Sequence, residues 1–296
     1  MELSGQALSW RHEGDVLMVT LHRGPTNEIG TLMLRELEAL VAYLGEGAQG
    51  ARALVMHSSL ASGFCAGADL RELEAGIRER TEARRASAHA AMERLPSWLQ
   101  GPARAVGRRI GKRLVRHELG GFIHRIHAAF DALDSAPLVT IAAVHGPVFG
   151  GGFELALTAD VLIAEKSARF CFPELRLGII PGFGGIPRLE RELGNGVARD
   201  LLLTGRSMGA RRASELGLVA QVVSRGKGVD AARKVAQQAC RFEPSTVAQA
   251  KRFLKRVPSS RLAAERALFL DMVTDDRVSD ALSDFVSRTD VRPYLP

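Results

Sequence analysis

Gly150-Gly151-Gly152 is followed closely by Glu154, and Phe172-Pro173-Glu174 sets a second carboxylate twenty residues further on. The glycines open a helical-looking segment, Phe153 to Ala159. A glycine run at a helix start can aim free backbone N–H groups at an oxyanion, with the helix dipole behind them. Two glutamates beside such a site can divide acid and base roles. The bland readings stand beside these. A lone glycine triplet is usually a flexible or tight turn, and a Glu after Pro usually marks a helix start favoured by the dipole.

These residues need elements to hold them. Asp15 to Leu21 alternates like a strand and ends in a turn at Gly24-Pro25. Thr31 to Leu44 carries Leu34, Leu37, Leu40, Val41 and Leu44 at helical spacing, with Thr31 in the N-cap position. Ala53 to His57 reads as a second strand. It leads into the small-residue loop Ser62 to Asp69, which suits close approach of backbone to a ligand. Arg71 to Leu95 is a polar helical stretch stopped by Pro96, and Ala103 to His117 reads as another helix, weakened by Gly107 and Gly111. Phe122 to Leu133 is a further helix, Leu138 to Val144 an apolar strand of the buried kind, and Val161 to Glu165 a short strand. From about Ser207 the pattern is mostly helical: Ala210 to Leu216, Asp230 to Cys240, Ser245 to Arg256 and Arg261 to Arg288. No fixed-period repeat shows in residue identity, but a strand–strand–helix rhythm does.

Composition narrows the class. The 296 residues are 46% hydrophobic and 25% charged, ordinary for a globular protein with a substantial core. No apolar run is long enough to span a bilayer, and the N-terminal MELSGQALSW lacks the basic start and apolar core of a signal peptide. Cys65, Cys171 and Cys240 are far apart and form no CxxC pair. They argue for a reducing, cytoplasmic setting and against a zinc site, and each reads as a small buried hydrophobe. The net charge of +7 is concentrated between Gly76 and His117, where eleven Lys/Arg face three acids. That stretch lacks the interleaved aromatics and fold signatures of a nucleic-acid binder.

Four blocks in order carry a resemblance. They are Leu21-His22-Arg23-Gly24-Pro25 with Asn27; Phe64-Cys65-Ala66-Gly67-Ala68-Asp69-Leu70; His145 to Ala156; and Pro173 to Gly185. Together they resemble the crotonase superfamily, the enoyl-CoA hydratases and isomerases. The likeness covers Val16 to Asp69 and Leu138 to about Val223 well, the C-terminal helices loosely, and Gly76 to about Leu119 not at all. It implies an α/β fold, a spiral of repeated ββα units with a C-terminal helical segment. The ββα core would occupy residues 1–205, with a basic helical insert at about 76–119, and the helical segment 206–296. It implies a homotrimer or a dimer of trimers, and an acyl thioester of CoA or of a carrier protein as substrate, with no further cofactor and no metal. By position, the backbone N–H groups of Ala66 and Gly151 would form the oxyanion hole. Ala66, Gly67, Ala68, Asp69, Leu70 and Gly151 would touch the substrate. Glu154 and Glu174 would be catalytic, Glu154 activating water and Glu174 exchanging the α-proton, although two interacting carboxylates titrate as a pair. Having both acids favours hydration or dehydration over isomerisation, thioester hydrolysis, a combined dehydratase–thioesterase or a non-catalytic binding role. Asp69 reads equally as the cap of a helix beginning at Leu70 and as support for the substrate loop. His57, His145 and Trp98 read as structural.

Three departures stand out. Ile186-Pro187-Arg188-Leu189 replaces a small polar residue and Gln before Arg-Leu. Asp276-Arg277-Val278-Ser279-Asp280-Ala281 stands where Glu-Gly is common. The spacing between Asp69 and Gly150 is roughly twice the usual one, and the extra residues fall where a substrate-lining helix begins. The basic segment 76–117 suits contact with an acidic carrier protein, contact with an anionic membrane surface, or a solvated helix pair.

Overall fold

A computed structural model gives the fold and describes residues 3–79, 116–117 and 119–288. Two sheets and a set of helices are wound from one repeating plan. The strands are β1 (Leu3–Ser4), β2 (Leu8–Glu13), β3 (Val16–Leu21), β4 (Ala53–Ser58), β5 (Val139–Val144), β6 (Pro147–Phe149), β7 (Val161–Glu165), β8 (Arg169–Cys171), β9 (Met208–Gly209) and β10 (Gln221–Val223). The larger sheet runs β1-β2-β3-β4-β5-β7-β10. It is antiparallel from β1 to β3 and parallel from β3 to β10. The smaller sheet runs β6-β8-β9, and isolated bridges Ile29↔Ala68 and Cys65↔Val148 extend its line.

The parallel strands β3, β4, β5 and β7 are each followed by a short strand or bridge in the second layer, and then by a helix. The helices are α1 (Thr31–Gly45), α2 (70–79), α3 (119–134), α4 (Gly151–Ala156) and α5 (Gly185–Thr204). This is the strand–strand–helix rhythm of the sequence, made into a spiral. Past it lie α6 (Ala210–Glu215), α7 (Gly228–Ala239), α8 (Pro244–Leu254), α9 (Ser259–Val273) and α10 (Asp276–Ser287).

The strands alternate between two cores, as their period of two requires. Val16, Met18, Ala53, Val55, Ile141 and Ala143 pack with Ala232 and Ala236 of α7. Leu17, Val19, Leu54, Met56, Ala142 and Val144 point the other way, into the main core with α1 and α3. Burial on both faces is why β4 and β5 read as unbroken apolar runs rather than alternating ones.

Several local expectations shift. Thr31 does not cap α1. The cap position is Gly30, and Thr31 N–H and Oγ1–H both donate to the Glu72 carboxylate on α2. The single helical stretch Arg261 to Arg288 is two helices. Asp275 begins the second by accepting from Arg277 N–H at 3.0 Å. The readings on 80–95 and 103–115, and on Trp98, lie outside the described residues. Among the described residues no helix is long and apolar enough to cross a membrane.

Candidate active site

The second-layer turns meet around one cavity. It is lined by the loop 67–70, by Gly150, Gly151 and Glu154, by Glu174, and by the turn around Gly182 and Phe183. Its far wall is apolar, with Leu73, Phe122, Ile123, Leu177, Ile180 and Phe269 among its residues.

The loop 64–69 is set by Asn27, which is wholly buried. Asn27 Nδ2–H donates to Ser58 Oγ at 2.8 Å and to the Phe64 carbonyl at 2.9 Å, while Cys65 Sγ–H reaches the Asn27 carbonyl at 2.9 Å. Ile29 N–H then donates to the Gly67 carbonyl, and Asp69 N–H to the Ile29 carbonyl. Those bonds fix Gly67 and Asp69 and leave the intervening Ala68 N–H facing the cavity. Asp69 fills both roles considered for it. One carboxylate oxygen caps α2 by accepting from Glu72 N–H at 3.0 Å, and the other pairs with Arg23 at 2.5 Å.

The expectation for Ala66 fails on geometry. Its N–H donates to the Thr26 carbonyl at 3.0 Å and is already spent, and Ala66 does not line the cavity. Ala68 is the neighbour with an open donor. It stands across from Gly151: a Cβ placed on Gly151 would lie 3.4 Å from Ala68 N, and one placed on Gly67 would lie 3.4 Å from Gly151 N. No described group accepts from either N–H. The open N–H of this loop thus lies two residues beyond the position that analogy named, because which N–H is free depends on the bridges to Thr26 and Ile29.

The glycine triplet has a steric origin at each position. Gly150 sits at φ +48°, a conformation side chains rarely adopt. A Cβ on Gly151 would lie 2.8 Å from the Phe183 ring, and one on Gly152 would lie 2.3 Å from the Cys65 carbonyl oxygen. A Cβ on Gly150 would also lie 2.5 Å from Glu174 Oε1, so all three positions are close approaches and the triplet is far from a flexible loop.

Glu154, on α4, is 1% exposed. Its Oε1 accepts from Phe183 N–H at 2.7 Å and Gly185 N–H at 2.8 Å. Glu174 follows β8 at the start of a short 3-10 turn, Glu174–Leu177, and its Oε2 is buried with no hydrogen-bond partner in the protein. Burial pushes the pKa of Glu154 well above the usual carboxylate range, and the charge of Glu174 adds to the rise. Burial does the same to Glu174, with the charge of Glu265 adding to it. Such a pair holds a proton near neutrality, which lets one member act as acid while the other acts as base.

His145 and His57 stay structural. Each ring bonds a local partner, the Leu60 carbonyl at 2.8 Å and the Thr20 hydroxyl at 3.1 Å, and neither lines the cavity. Three contributors were not foreseen: Glu265 and Phe269 of α9, and His127 of α3, whose Nε2 bonds the Gly182 carbonyl at 2.7 Å. Glu265 did carry a sequence signal, a lone acid on the apolar stripe Leu262, Glu265, Phe269, Val273.

Comparison with known proteins bears on the family and the fold. The family model described as enoyl-CoA hydratase/isomerase matches residues 109–291. The chain is 30% identical over 292 residues to a probable enoyl-CoA hydratase of Rhizobium meliloti, covering 97% of each. It is 38% identical over 165 residues to the probable enoyl-CoA hydratase EchA8 of Mycobacterium tuberculosis, covering 54% of this chain and 64% of that relative's length. The crystal structure of an enoyl-CoA hydratase from Bacillus anthracis superposes with a TM-score of 0.65 at 26% identity, over 97% of this chain and 98% of that one. The fold is that of the crotonase superfamily, and the chain belongs to the enoyl-CoA hydratase/isomerase family.

Proposed function

We propose that the protein adds water reversibly across the Cα=Cβ bond of a 2-enoyl thioester. The observation that carries this is the presence of two buried glutamates, Glu154 and Glu174, beside two open backbone donors in one apolar-walled cavity, where burial raises the pKa of both. The thioester carbonyl oxygen sits between Ala68 N–H and Gly151 N–H, which stabilise it as it gains enolate charge. Glu154 takes a proton from water as its oxygen bonds Cβ. Glu174 delivers a proton to Cα as the π bond is lost. The thioester C–S bond stays intact, and the two glutamates exchange protonation states, to be restored through the next water. The apolar wall excludes bulk water and fits a hydrocarbon acyl chain.

The test is loss of the enone absorbance of crotonyl-CoA, with longer enoyl chains on CoA and on a carrier protein as further substrates. Wild type should consume the enone, and Glu174→Gln should lower kcat by about 10²–10⁴-fold, the range of a general acid or base, while still binding the thioester. Release of free thiol in place of hydration would move the assignment to thioester hydrolysis. Binding with no turnover of any enoyl or 3-hydroxyacyl thioester would leave an acyl-thioester binding protein.

A further inference from the structure

The turn Phe183–Ile186, which begins α5, is gripped by two carboxylates on alternate residues. Glu154 Oε1 takes Phe183 N–H and Gly185 N–H. Glu265, from α9, takes the other two: Oε1 accepts from Gly184 N–H at 2.6 Å and Oε2 from Ile186 N–H at 2.8 Å. Four consecutive N–H groups at a helix start, all without intrahelical acceptors, are thus shared evenly between an acid of the proposed reaction and an acid that the proposed mechanism does not use.

The turn has little room to settle elsewhere. A Cβ on Gly182 would lie 2.5 Å from the Phe269 ring, and one on Gly185 would lie 2.7 Å from Glu154 Cγ. Gly184 is at φ +95°. Arg188 Nη1–H donates to the Phe183 carbonyl at 3.0 Å and to the Gly184 carbonyl at 3.2 Å, and His127 holds the Gly182 carbonyl. Glu265 and Phe269 are one turn apart on the same face of α9, so that helix supplies both a ligand for the turn and a wall of the cavity. Glu265 is 6% exposed. A buried carboxylate that gives both oxygens to backbone N–H groups is placed by those bonds and places them in return.

We infer that Glu265 is a positioning residue for Glu154. By holding Gly184 and Ile186 it sets where Phe183 N–H and Gly185 N–H point. Those two groups in turn fix one oxygen of Glu154 and leave the other to face the substrate cavity. The inference deepens the hydratase reading and rests on it for its kinetic arm. Seating of α9 is thereby part of assembling the acid–base pair.

Glu265→Gln keeps the side-chain shape but sets an amide N–H₂ against one of the two backbone donors. Glu265→Asp keeps a carboxyl group and two acceptors on a shorter arm. With crotonyl-CoA, or whichever enoyl thioester wild type hydrates, Glu265→Gln should lower kcat by about 10–100-fold and leave KM within about 3-fold, since misplacement of a catalytic group costs rate more than binding. Glu265→Asp should recover part of that loss. Hydrogen exchange followed by mass spectrometry should show faster exchange in Glu265→Gln confined to the peptide containing Phe183–Ile186. Wild-type-like kcat with unchanged exchange in that peptide would overturn the inference. So would equal losses in kcat and KM with exchange raised throughout α5 and α9, which is the mark of a merely structural residue. If wild type hydrates no thioester, the functional reading fails by itself. Exchange then decides the positioning of the turn, and unaltered protection in Glu265→Gln rejects it.

Discussion

At the residue scale, the site is a matter of which polar atoms are left free by their neighbours. Glu154 spends one oxygen on two backbone N–H groups, and Glu174 keeps Oε2 unpartnered and buried. Ala66 and Ala68 are chemically identical, yet only Ala68 has an open N–H, because Thr26 holds the other. Gly151 has no room for a side chain. Adding a methyl there pushes on the Phe183 ring 2.8 Å away, and Phe183 N–H is one of the donors to Glu154. Gly151→Ala should therefore lower kcat/KM on the order of 10²-fold through displacement of both an oxyanion donor and an acid. Steady-state kinetics against wild type measures this. Unchanged kinetics would show that Phe183 can move without disturbing Glu154.

At the element scale, two short segments do the positioning. One is the loop 64–69, held by Asn27 and by the Ile29↔Ala68 bridge. Ala68→Pro removes the open N–H and should cost about 10²–10³ in kcat with the fold intact by circular dichroism. Retention of activity would return the oxyanion role to another group. The other segment is the start of α5. No reading of the sequence marked this helix, which runs from Gly185 to Thr204, and the reason is physical. Its start combines Gly184, Gly185 and Pro187, it bends at Gly194 (φ +73°), and it has no side-chain cap of its own. Its N–H groups are satisfied by glutamates 31 and 79 residues away along the chain. A helix capped by tertiary contacts leaves no local start signal. The break between α9 and α10 was missed for a different reason: no glycine or proline marks it, and only Asp275 caps the second helix.

At the scale of the whole molecule, a buried ion network joins the spiral to the C-terminal helices. Asp134 of α3 meets Arg188 at 3.2 Å, Arg191 at 2.9 Å and Lys255 at 2.8 Å; Lys255, at the C-terminal end of α8, and Lys251 within it meet Asp160 at 2.9 and 2.8 Å. Arg188 is 1% exposed. Asp134→Ala leaves these cations only their second partners, Asp131 for Arg188, Glu192 for Arg191 and Asp160 for Lys255, and should destabilise the fold by about 1–3 kcal/mol, read by chemical denaturation. A loss under about 1 kcal/mol, the value of an exposed pair, would show that water reaches the site. Stability should also follow pH through the buried acids. Glu154, Glu174 and Glu265 are raised in the folded state from 4.5 to about 8, chiefly by burial. The folded protein thus binds their protons more tightly than the unfolded chain. Their contribution is complete below pH 4.5 and is lost as pH rises through about 8. His127, lowered to about 4 by burial, acts in the opposite sense but only below its unperturbed 6.5. Between pH 6.5 and 8, then, the melting temperature of Glu174→Gln should gain on that of wild type. A constant difference across that range would mean that Glu174 titrates normally.

The amino-acid sequence by itself determined the architecture and the loops and two glutamates that line the cavity. Alternating and unbroken apolar runs specify strands buried on one or both faces. The blocks at 64–70, 145–156 and 173–185 hold the loops and both glutamates, because close backbone approach and buried acids demand particular residue types. What only the tertiary structure decided is which of those groups are available. The open N–H is that of Ala68 rather than Ala66 because Thr26, forty residues back, occupies the other. Glu265 joins the site because α9 folds back onto the start of α5. Hydrogen-bond availability is a property of what the rest of the chain has already paired, and it is settled only when the turns of the spiral close on one another.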